Sequence, residues 1–345
     1  NLYVSGPAAV AEVSSPDGGD LRCLEAWEVL VLKGCAALGI PKPELFIATH
    51  KGGAAVGFTA PIDMLYGATE LNEWALKASF AHGEGSEAVP FEAVHAQITA
   101  TLQAERNQAV IALQREALRY QRPFLWDDDH VSVGLGMYAE TWAASEIPDP
   151  QEIAWSERGA IPVGIITGTN GKTTTSRLLT RMLIQHGFHV GATSTDGVSV
   201  DEVLVEGGDW TGPGAARMVL RRPEIDAAVL ETARGGLLRR GLGYEECDVA
   251  VVTNVAADHL GEYGIHDVED MARGKALVYD ALKVGGIRVV NADDPRMHPY
   301  ITPRVEETTL FSLEDGHPMV RAHCSAGGTA WTLRAGVISK RTGSQ

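Results

Sequence analysis

The sequence predicts an α/β fold: a doubly wound, mostly parallel sheet in the second half of the chain, preceded by a smaller α+β domain. From about residue 160, short apolar runs alternate with helical patterns, which is typical of βαβ units. These runs are almost continuously apolar, as expected for strands that are covered on both faces. Polar residues follow directly after them, at the edge where open parallel sheets bind ligands.

The domain organisation follows from length and from a change in pattern. With 345 residues, of which 45% are hydrophobic, the chain is long enough for two or three compact cores. The stretch "SEIPDPQEIAWSERGAIP" contains three prolines and several charges, which indicates a linker. We therefore predict an N-terminal α+β domain of unassigned role over residues 1–155 and an α/β domain over residues 156–345.

The N-terminal domain is predicted to contain two amphipathic helices. "LRCLEAWEVLVLKGCAALGIP" places Leu24, Trp27 and Val31 on one helical face and stops near Gly39. In "PFEAVHAQITATLQAERNQAVIALQREALRYQRPF" the apolar residues recur at spacings of three and four, at Phe91, Val94, Ile98 and Leu102. This spacing predicts one long helix that ends before Pro123.

Five strands are predicted in the α/β domain, from "PVGIIT", "HVGAT", "DAAVLE", "DVAVVTN" and "IRVVNA". The clearest helices between them cover residues 173–186 and 267–283. Polar residues lie just beyond each strand: Thr169 and Asn170, Thr195 and Asp196, Glu231, Asn254, Asp258 and His259, and Asn291, Asp293 and Asp294. Because the carboxyl ends of parallel strands share one edge, we expect these residues to lie near one another.

Charge and composition exclude several classes of protein. A formal net charge of -16 argues against nucleic-acid binding and against an anionic membrane surface. The four cysteines include no C-x-x-C pair, which is poor for a zinc cluster and favours a reducing compartment. No apolar run approaches the roughly 20 residues of a bilayer span, and no secretion signal opens the chain. We predict a soluble, cytoplasmic protein, which starts at Asn1 and is therefore a trimmed sequence or a fragment.

The stretch "GIITGTNGKTTTSRLL" is predicted to bind phosphate. The usual loop pattern has a glycine five places before Gly171, where this chain has Ile166; its first loop glycine is Gly168. The setting of strand, glycine loop and helix is nevertheless the right one, because free N–H groups at a helix N-terminus hold anions. Lys172 supplies a positive charge for the outer phosphates, and the Thr173 hydroxyl is placed for a magnesium ion.

Two charged residues follow the third strand in "VLETARGG". Glu231 stands where nucleotide-binding sheets commonly place an acid that holds a metal, although an acid at a strand end is also often structural. Arg234 could orient an anionic group of a substrate, or it could be a solvated arginine. Both alternatives stay open on the residues alone.

His259 and Lys275 come from the later part of the domain. His259 leaves the fourth strand, but imidazole suits magnesium less well than oxygen ligands do, so a structural histidine is an equal alternative. Lys275 lies in a helix that Asp267 can cap. Gly274 beside it costs roughly 1 kcal/mol relative to alanine, which suggests a close approach at that turn; a helix-surface lysine is the alternative.

Four motifs occur in a recognisable order: "ITGTNGKTTT", "LETARGG", "TNVAADHLG" and "NADDP". Together they resemble the central ATP-binding domain of the Mur ligase superfamily, in which G-T-N-G-K-T is the ordinary form of the loop. "TSTDGV", "GDWTGPGAARMVL" and "ETARGGLLRRGLGYEECDVAVVTN" resemble more closely the Mur-like half of the cyanophycin synthetases. The resemblance extends over residues 160–335. "ALRYQRPFLWDDDHVSVGLGM" resembles the segment that leads into the ATP-grasp domain of those synthetases, and we expect this chain to pass from it directly into the Mur-like domain, with no ATP-grasp domain between.

The resemblance implies ATP and Mg²⁺ as cofactors and a set of site residues. In such ligases a carboxylate attacks the γ-phosphate of ATP, and an amine then displaces phosphate from the acyl phosphate. Lys172 would hold the β- and γ-phosphates, Thr173 and Glu231 one magnesium ion, and His259 a second, while Lys275 matches a lysine that several members carry as a carbamate. The implied ATP-binding residues are Gly168, Thr169, Asn170, Gly171, Lys172, Thr173, Thr174, Asn291 and Asp294. The catalytic residues are Lys172, Glu231, His259 and Lys275, and the substrate residues are Thr195, Asp196 and Arg234.

We therefore predict an ATP- and magnesium-dependent amide ligase that acts on amino acids or on an acidic peptide, with aspartate and arginine as in cyanophycin synthesis. Arginines that could hold an acidic acceptor, or form a solvated face, are Arg217, Arg221, Arg222, Arg234, Arg239 and Arg240. The alternative is an ATP-binding, non-catalytic partner or polymer-binding protein of such a system; a simple phosphotransferase leaves "ETARGG" and "DHLG" unexplained. The family's C-terminal domain has no counterpart before Gln345. Association with a second copy or with a cyanophycin-type synthetase is expected.

Overall fold

The computed structural model describes residues 4, 6–14, 23–50, 53–258, 260–261 and 265–343. It forms two compact units: Asn1–Arg115 with Gly261–His266, and Glu116–Leu260 with Asp267–Gln345. Residues 116–155, which the sequence groups with the N-terminal domain, thus belong to the second unit. The domain boundary at residue 155 stays a prediction.

The strands in the described ranges are β1 (Ala8–Ser14), β2 (Leu45–His50), β3 (Gly53–Thr59), β4 (Phe124–Trp126), β5 (His130–Val133), β6 (Glu140–Ala143), β7 (Val163–Thr167), β8 (Val190–Ser194), β9 (Gly197–Val200), β10 (Val203–Gly207), β11 (Ala227–Glu231), β12 (Cys247–Val252), β13 (Leu282–Asn291), β14 (Thr308–Ser312), β15 (Thr329–Arg334) and β16 (Val337–Thr342). The α-helices are α1 (Cys23–Leu38), α2 (Leu65–Glu84), α3 (Phe91–Glu105), α4 (Gln108–Arg119), α5 (Lys172–Gln185), α6 (Pro213–Leu220), α7 (Arg234–Arg240), α8 (Val268–Ala276) and α9 (Pro318–Ser325).

The first unit packs helices against a small antiparallel sheet of order β1-β3-β2. The predicted apolar face of α1 is confirmed, because Leu24, Trp27 and Val31 are all buried in this core. The indole nitrogen of Trp27 donates a hydrogen bond to Asn72 Oδ1 at 2.8 Å. A buried polar pair therefore joins α1 to α2 inside an otherwise apolar core.

The prediction of one long helix from residue 91 is wrong, because the chain breaks into α3 and α4. Asn107 lies at the break: its side chain accepts a hydrogen bond from the Val110 amide at 3.1 Å, as a helix N-cap does. Its own amide donates to the carboxylate of the buried Asp63 at 3.1 Å. The apolar spacing continues through the break, so periodicity alone does not reveal it.

The second unit contains a ten-stranded sheet of order β10-β9-β8-β11-β7-β12-β13-β14-β15-β16. The strands from β8 to β15 are parallel, and the β9–β10 hairpin and β16 add antiparallel edges. All five predicted strands are present, and the predicted α/β class is confirmed. The chain runs from β7 out to β8, returns to β11, and then crosses to the other side of β7 for β12. This reversal of direction places the end of β7 at the switch point of the sheet.

The helices of the second unit match the predictions with one correction. The first predicted helix is α5, shifted by one residue. The second, predicted for residues 267–283, is an α-helix only to Ala276; a 3-10 turn covers Leu277–Ala281 and β13 begins at Leu282. The helix is shorter than predicted because Leu282 already belongs to the sheet, where it pairs with Cys247 of β12. Asp267 caps α8 as predicted, accepting from the Asp270 amide at 2.9 Å.

Residues 145–162, predicted as a linker, contain two 3-10 turns, Pro150–Glu152 and Trp155–Glu157, and pack within the second unit. Trp155 is buried, its ring stacks on Tyr120 at 5.0 Å, and its indole nitrogen donates to the Pro150 carbonyl at 2.8 Å. Arg122 donates to the Trp155 carbonyl at 3.0 Å. The segment is therefore a packed connection. Among the helices of the described ranges, none is long and apolar enough to span a membrane.

Candidate functional site

The glycine loop after β7 is shaped by two glycines that serve different purposes. Gly168 has a φ of +150°, and a Cβ atom there would lie 1.8 Å from the Thr253 hydroxyl oxygen. Gly171 has a φ of +85° and forms the N-cap of α5, with open space around it. The first position needs glycine because the backbone approaches Thr253 closely, and the second because the backbone is left-handed.

The loop is fastened to the segment that follows β12. The Thr169 amide donates to the Asn254 carbonyl at 2.9 Å, and the Asn170 amide donates to Asn254 Oδ1 at 3.0 Å. The Thr253 hydroxyl and the Asn254 side chain both donate to the Asn170 carbonyl, at 2.7 and 2.9 Å. The amides of Thr169 and Asn170 therefore hold the loop in shape. The N–H groups of the first turn of α5, which have no acceptor within the helix, are the ones aimed at an anion.

The N-terminus of α5 meets the end of β8. The Thr173 and Thr195 hydroxyl oxygens lie 3.3 Å apart, and the Lys172 ammonium donates to the Thr169 carbonyl at 3.3 Å. Asp196, the next residue along, forms an exposed ion pair with Arg177 at 2.6 Å. The structure thus brings Thr173 and Thr195 together, while the carboxylate of Asp196 already has a cationic partner.

Glu231 is a buried carboxylate at the end of β11, between β7 and β8. Its side chain is 1% exposed, and neither oxygen receives a hydrogen bond from the described part of the chain. Burial raises the pKa of Glu231; the nearby Thr173 hydroxyl and Lys172 ammonium lower it in part, and the charges of Asp209 and Asp196 raise it further. Because an unsatisfied buried carboxylate is costly, this arrangement is suited to a bound cation.

Oxygen ligands of this kind fit magnesium. Glu231 and Thr173 offer hard oxygens, which Mg²⁺ prefers, and Mg²⁺ usually takes its remaining ligands from water and phosphate. Within the described ranges no group of three or more His, Cys, Asp or Glu side chains is placed to hold a metal. His259, the other predicted metal ligand, lies outside the described residues.

Lys275 is buried, so the alternative of a helix-surface lysine is wrong. Its side chain is 5% exposed. Burial, together with the positive charges of Lys172 and Arg234, lowers the pKa of Lys275 from 10.5 to about 8, against a smaller opposing effect of Asp258. Residues from the glycine loop, α7, α8 and the segment after β12 are therefore electrostatically coupled, and Lys172, Arg234 and Lys275 form a cationic cluster.

Asn291 and Asp294, predicted to approach the base and ribose, support the segment after β12. The Asn291 side chain donates to the Thr253 carbonyl at 3.0 Å. Asp294 is buried, and its carboxylate accepts from the Val255 amide at 2.8 Å. Both residues thus hold the segment that in turn holds the glycine loop. Their contact with a nucleotide stays a prediction.

A wall of the site that the sequence analysis did not assign is formed by residues 208–212. The Trp210 amide donates to the Ser194 carbonyl at the end of β8, and the Ala233 amide beyond β11 donates to the Thr211 carbonyl, both at 3.2 Å. The Thr211 hydroxyl donates to Asp209 Oδ1 at 2.8 Å. A polar segment flanked by Gly208 and Gly212, directly before a helix, was the signal that could have identified it.

Three of the arginines considered for an acidic acceptor have structural partners. Arg221 pairs with Asp127 and also donates to Ser132 Oγ at 3.2 Å. Arg217 lies 3.6 Å from the same Asp127 carboxylate, and Arg222 pairs with Glu224 at 2.8 Å. These three arginines are thus paired within the chain, and their contact with an acidic acceptor stays a prediction. The side chains of Arg239 and Arg240 are outside the described residues, and only Arg234 joins the cationic cluster.

Known proteins and protein families match mainly the second half of the chain. The model of the family "Mur ligase middle domain" matches residues 166–338. A cyanophycin synthetase of Synechocystis sp. is 45% identical over 184 residues, 53% of this chain and 21% of that protein. A UDP-N-acetylmuramoyl-L-alanyl-D-glutamate–2,6-diaminopimelate ligase of Chlorobaculum tepidum is 34% identical over 161 residues, 44% of this chain and 30% of that protein.

A solved structure of another UDP-N-acetylmuramoyl-L-alanyl-D-glutamate–2,6-diaminopimelate ligase aligns at 22% identity with a TM-score of 0.38, covering 50% of this chain and 34% of that one. The chain spans about a fifth of the cyanophycin synthetases that it matches. The family match covers half of the chain and includes the glycine loop, Glu231 and Lys275. The chain therefore belongs to the Mur ligase family, of which it carries the middle domain.

Proposed function

We propose that the protein works as an ATP- and magnesium-dependent carbon–nitrogen ligase, which activates a carboxylate as an acyl phosphate and transfers the acyl group to an amine. The observation that carries this proposal is Glu231: a buried, unpartnered carboxylate that stands beside the N-terminus of a helix opened by Lys172 and Thr173. A bound cation would pair with the Glu231 carboxylate, and a polyphosphate would bind at the helix N-terminus and Lys172.

The residues have distinct parts in this proposal. The first turn of α5 and Lys172 bind the phosphates and keep the transferred group in line. Thr173 and Glu231 hold Mg²⁺, which when bound neutralises charge on the phosphate oxygens. Catalysis in such a site consists mainly of positioning and charge stabilisation.

The cationic cluster of Lys172, Arg234 and Lys275 supplies the site for an anionic substrate. Arg234 would orient the carboxylate to be activated, with Thr195 nearby at the end of β8. A pKa near 8 leaves part of Lys275 as the neutral amine, which is the form that reacts with carbon dioxide. The two neighbouring cations that disfavour its ammonium form would stabilise a negatively charged carbamate, so we propose that Lys275 carries one.

The choice of substrates in this proposal is supported by the matched relatives. Because the matched cyanophycin synthetases share 44 to 46% of residues with this region, we propose that the carboxylate belongs to an aspartate-containing acceptor and the amine to arginine. Association with a second copy, or with a cyanophycin-type synthetase, and a cytoplasmic location remain parts of the proposal.

The test is release of ADP and phosphate from magnesium-ATP, with aspartate, arginine and aspartate–arginine peptides supplied singly and in pairs. We expect release that requires both a carboxylate and an amine. Lys172→Ala and Glu231→Gln should lower it by about a hundredfold or more, whereas Lys340→Ala, on an exposed edge strand, should not change it. Glu231→Gln is expected to fold at least as stably as the wild type, because it removes an unpartnered buried charge.

Activity that survives in either site variant would contradict the proposal. ATP binding without turnover that depends on an acceptor would instead favour the non-catalytic partner. That result would turn attention to residues 1–115 as a binding unit.

A further inference from the structure

A short stretch of chain between β12 and α8 belongs to the first unit, although both of these elements belong to the second. The first unit contains Gly261–His266, whereas Leu260 and Asp267 are part of the second unit. We call Gly261–His266 the crossover segment. Among its described residues, Ile265 is buried, and its carbonyl accepts a hydrogen bond from the Gly261 amide at 2.7 Å. The segment is therefore a packed part of the first unit.

His266, the last residue of the crossover segment, is in contact with His50 at the end of β2. His50 Nδ1 and His266 Nε2 lie 3.2 Å apart, and the two rings are stacked with their centroids 5.2 Å apart. On its other side, His50 Nε2 lies 3.1 Å from Glu12 Oε2 in β1. The His50 side chain is only 14% exposed. One half-enclosed imidazole thus connects the crossover segment to the small sheet.

The three side chains form an ordered chain of hydrogen bonds. An ionised carboxylate only accepts, so Glu12 accepts from the Nε2–H of His50. The Nδ1 atom of a neutral His50 then accepts from the Nε2–H of His266, because the bond made by one ring nitrogen sets the role of the other. In the sheet, Glu12 is opposite Ala55 of β3, and His50 is opposite Gly53. These two small residues share one face of β3 and leave room for the imidazole to reach β1.

Both ends of the crossover segment lead to the candidate ligase site. Asp258, which precedes the segment, is close enough to Lys275 to interact with it electrostatically. His266 is followed directly by Asp267, the N-cap of α8, whose carboxylate accepts from the Asp270 amide at 2.9 Å. The last turn of α8 carries the buried Lys275. The place of His266 therefore determines where the helix that carries Lys275 begins.

We propose that His50 is a positioning residue of the ligase site: it holds His266, and thereby fixes the start of α8 and the place of Lys275. The proposal rests on the part proposed above for Lys275 in the ligase reaction. It gives the first unit a role in that reaction, which it exerts through the chain and without touching a substrate. A misplacement of about 1 Å that starts far from the reacting atoms can lower a rate by about a hundredfold, so one contact at the start of α8 is sufficient.

The experiment uses substitutions that keep the contact of one ring nitrogen and remove that of the other. The side-chain amide of asparagine takes the place of Nδ1, and that of glutamine takes the place of Nε2. His50→Asn therefore keeps the contact with His266, whereas His50→Gln loses it and keeps the contact with Glu12. The pattern is reversed at His266, which is bound through Nε2: His266→Gln keeps the contact and His266→Asn loses it.

Two measurements on the full chain compare these four variants. Hydrogen exchange, followed by mass spectrometry, reports on the amides of α8, with those of α2 as a reference for the first unit. His50→Gln and His266→Asn should exchange about fivefold faster in α8 but not in α2. In the assay of ADP release they should lower kcat about tenfold and leave the KM for ATP within about twofold. His50→Asn and His266→Gln should restore both the exchange rate and kcat.

The matched control is His189→Gln, which should change neither measurement. His189 also binds a carboxylate through a ring nitrogen, that of Asp201 at 2.8 Å, but it lies in the second unit and outside the crossover segment.

The proposal is overturned if α8 exchanges at the wild-type rate in His50→Gln, or if His50→Asn loses as much as His50→Gln. Exchange that accelerates equally in α2 would also overturn it, because His50 would then only stabilise the first unit. Faster exchange in α8 with an unchanged kcat would do the same. The exchange measurement requires no turnover, so failure of the ligase proposal is seen separately, as absence of acceptor-dependent ADP release in the wild type.

Discussion

At the scale of single residues, two buried charges define the site. Glu231 is an unpartnered carboxylate, and Lys275 is an amine whose ammonium form is disfavoured by burial and by two neighbouring cations. Both reduce the stability of the fold in the absence of ligand, as is common for functional sites. Strand ends and helix caps predict where such residues lie in the chain. Their burial is a property of the packed molecule.

Lys275→Met is expected to stabilise the protein at neutral pH by up to about 3 kcal/mol. The fold lowers the pKa of Lys275 from 10.5 to about 8, so the unfolded chain binds more protons between these two values. Wild-type stability should therefore rise relative to the variant as pH increases from 8 to 10.5. The advantage of the variant should be greatest below pH 8, in urea unfolding with carbon dioxide excluded.

The control is Lys340→Met on the exposed edge strand, which should show no such pH dependence. A stability difference that stays constant from pH 7 to 10.5 would contradict the lowered pKa. With ¹³C-bicarbonate present, the wild type should show a carbamate carbon signal by NMR that Lys275→Met lacks.

At the scale of elements, the glycine loop and the segment after β12 form one hydrogen-bonded unit. Asn254 and Thr253 hold the backbone of the loop, and Asn291 and Asp294 hold that segment in turn. The sequence places these polar residues at the ends of three strands. The sequence does not show that these residues form hydrogen bonds with one another. Those hydrogen bonds depend on β7, β12 and β13 being neighbours in the sheet.

Gly168→Ala is expected to destabilise the protein by about 2 kcal/mol or more and to abolish ATP binding. The added methyl group would collide with the Thr253 hydroxyl oxygen, 1.8 Å from the ideal Cβ position. Adding Thr253→Ala should recover part of both losses, since it removes that oxygen. Calorimetric titration with magnesium-ATP and urea unfolding measure the two effects.

The comparison for this substitution is Gly214→Ala in α6, where no described atom lies within 4 Å of the added methyl group and φ is not positive. This variant should be neutral or slightly stabilising. Equal losses for Gly168→Ala and Gly214→Ala would contradict the close approach of the loop to Thr253.

At the scale of the whole molecule, the fold gathers residues that are far apart in the chain at one edge of a sheet. Lys172 begins α5, Glu231 ends β11 and Lys275 lies in α8, and they meet because the chain reverses direction at β7. The small sheet of β4, β5 and β6 belongs to this second unit. Arg221, which directly follows α6, joins that sheet through Asp127, Ser132 and the His130 carbonyl.

Arg221→Met is expected to destabilise the second unit by about 2 kcal/mol at neutral pH. Burial by itself raises the pKa of Asp127, but hydrogen bonds from Arg221 and from the His130 amide outweigh it and lower the pKa below 3.8. The contribution of this ionised carboxylate is therefore present above pH 3.8 and is lost as pH falls through the lowered value. Urea unfolding should show a difference between variant and wild type that shrinks below pH 3.8.

Arg222→Met provides the comparison. Arg222 forms an ion pair with Glu224 at 2.8 Å, and the Glu224 side chain is 46% exposed, so Arg222→Met should cost less than Arg221→Met. The structural role of the Arg221–Asp127 pair would be contradicted if Arg221→Met lowered the free energy of unfolding no more than Arg222→Met does. It would also be contradicted if the loss for Arg221→Met increased at acidic pH.

The sequence by itself determined the class of the fold, the five parallel strands with their order along the chain, the phosphate-binding loop and its glycines, and the candidate residues at the strand ends. These are local properties: apolar runs, turn residues and caps are set by neighbouring residues in the chain. Only the tertiary structure decided that α3 and α4 are separate helices and that Lys275 is buried. It also decided that Arg221 forms an ion pair with Asp127 and that residues 208–212 form one wall of the site. Each of these features depends on contacts between segments that are distant in the chain. Neither the periodicity nor the spacing of residues in a sequence gives the energies of such contacts.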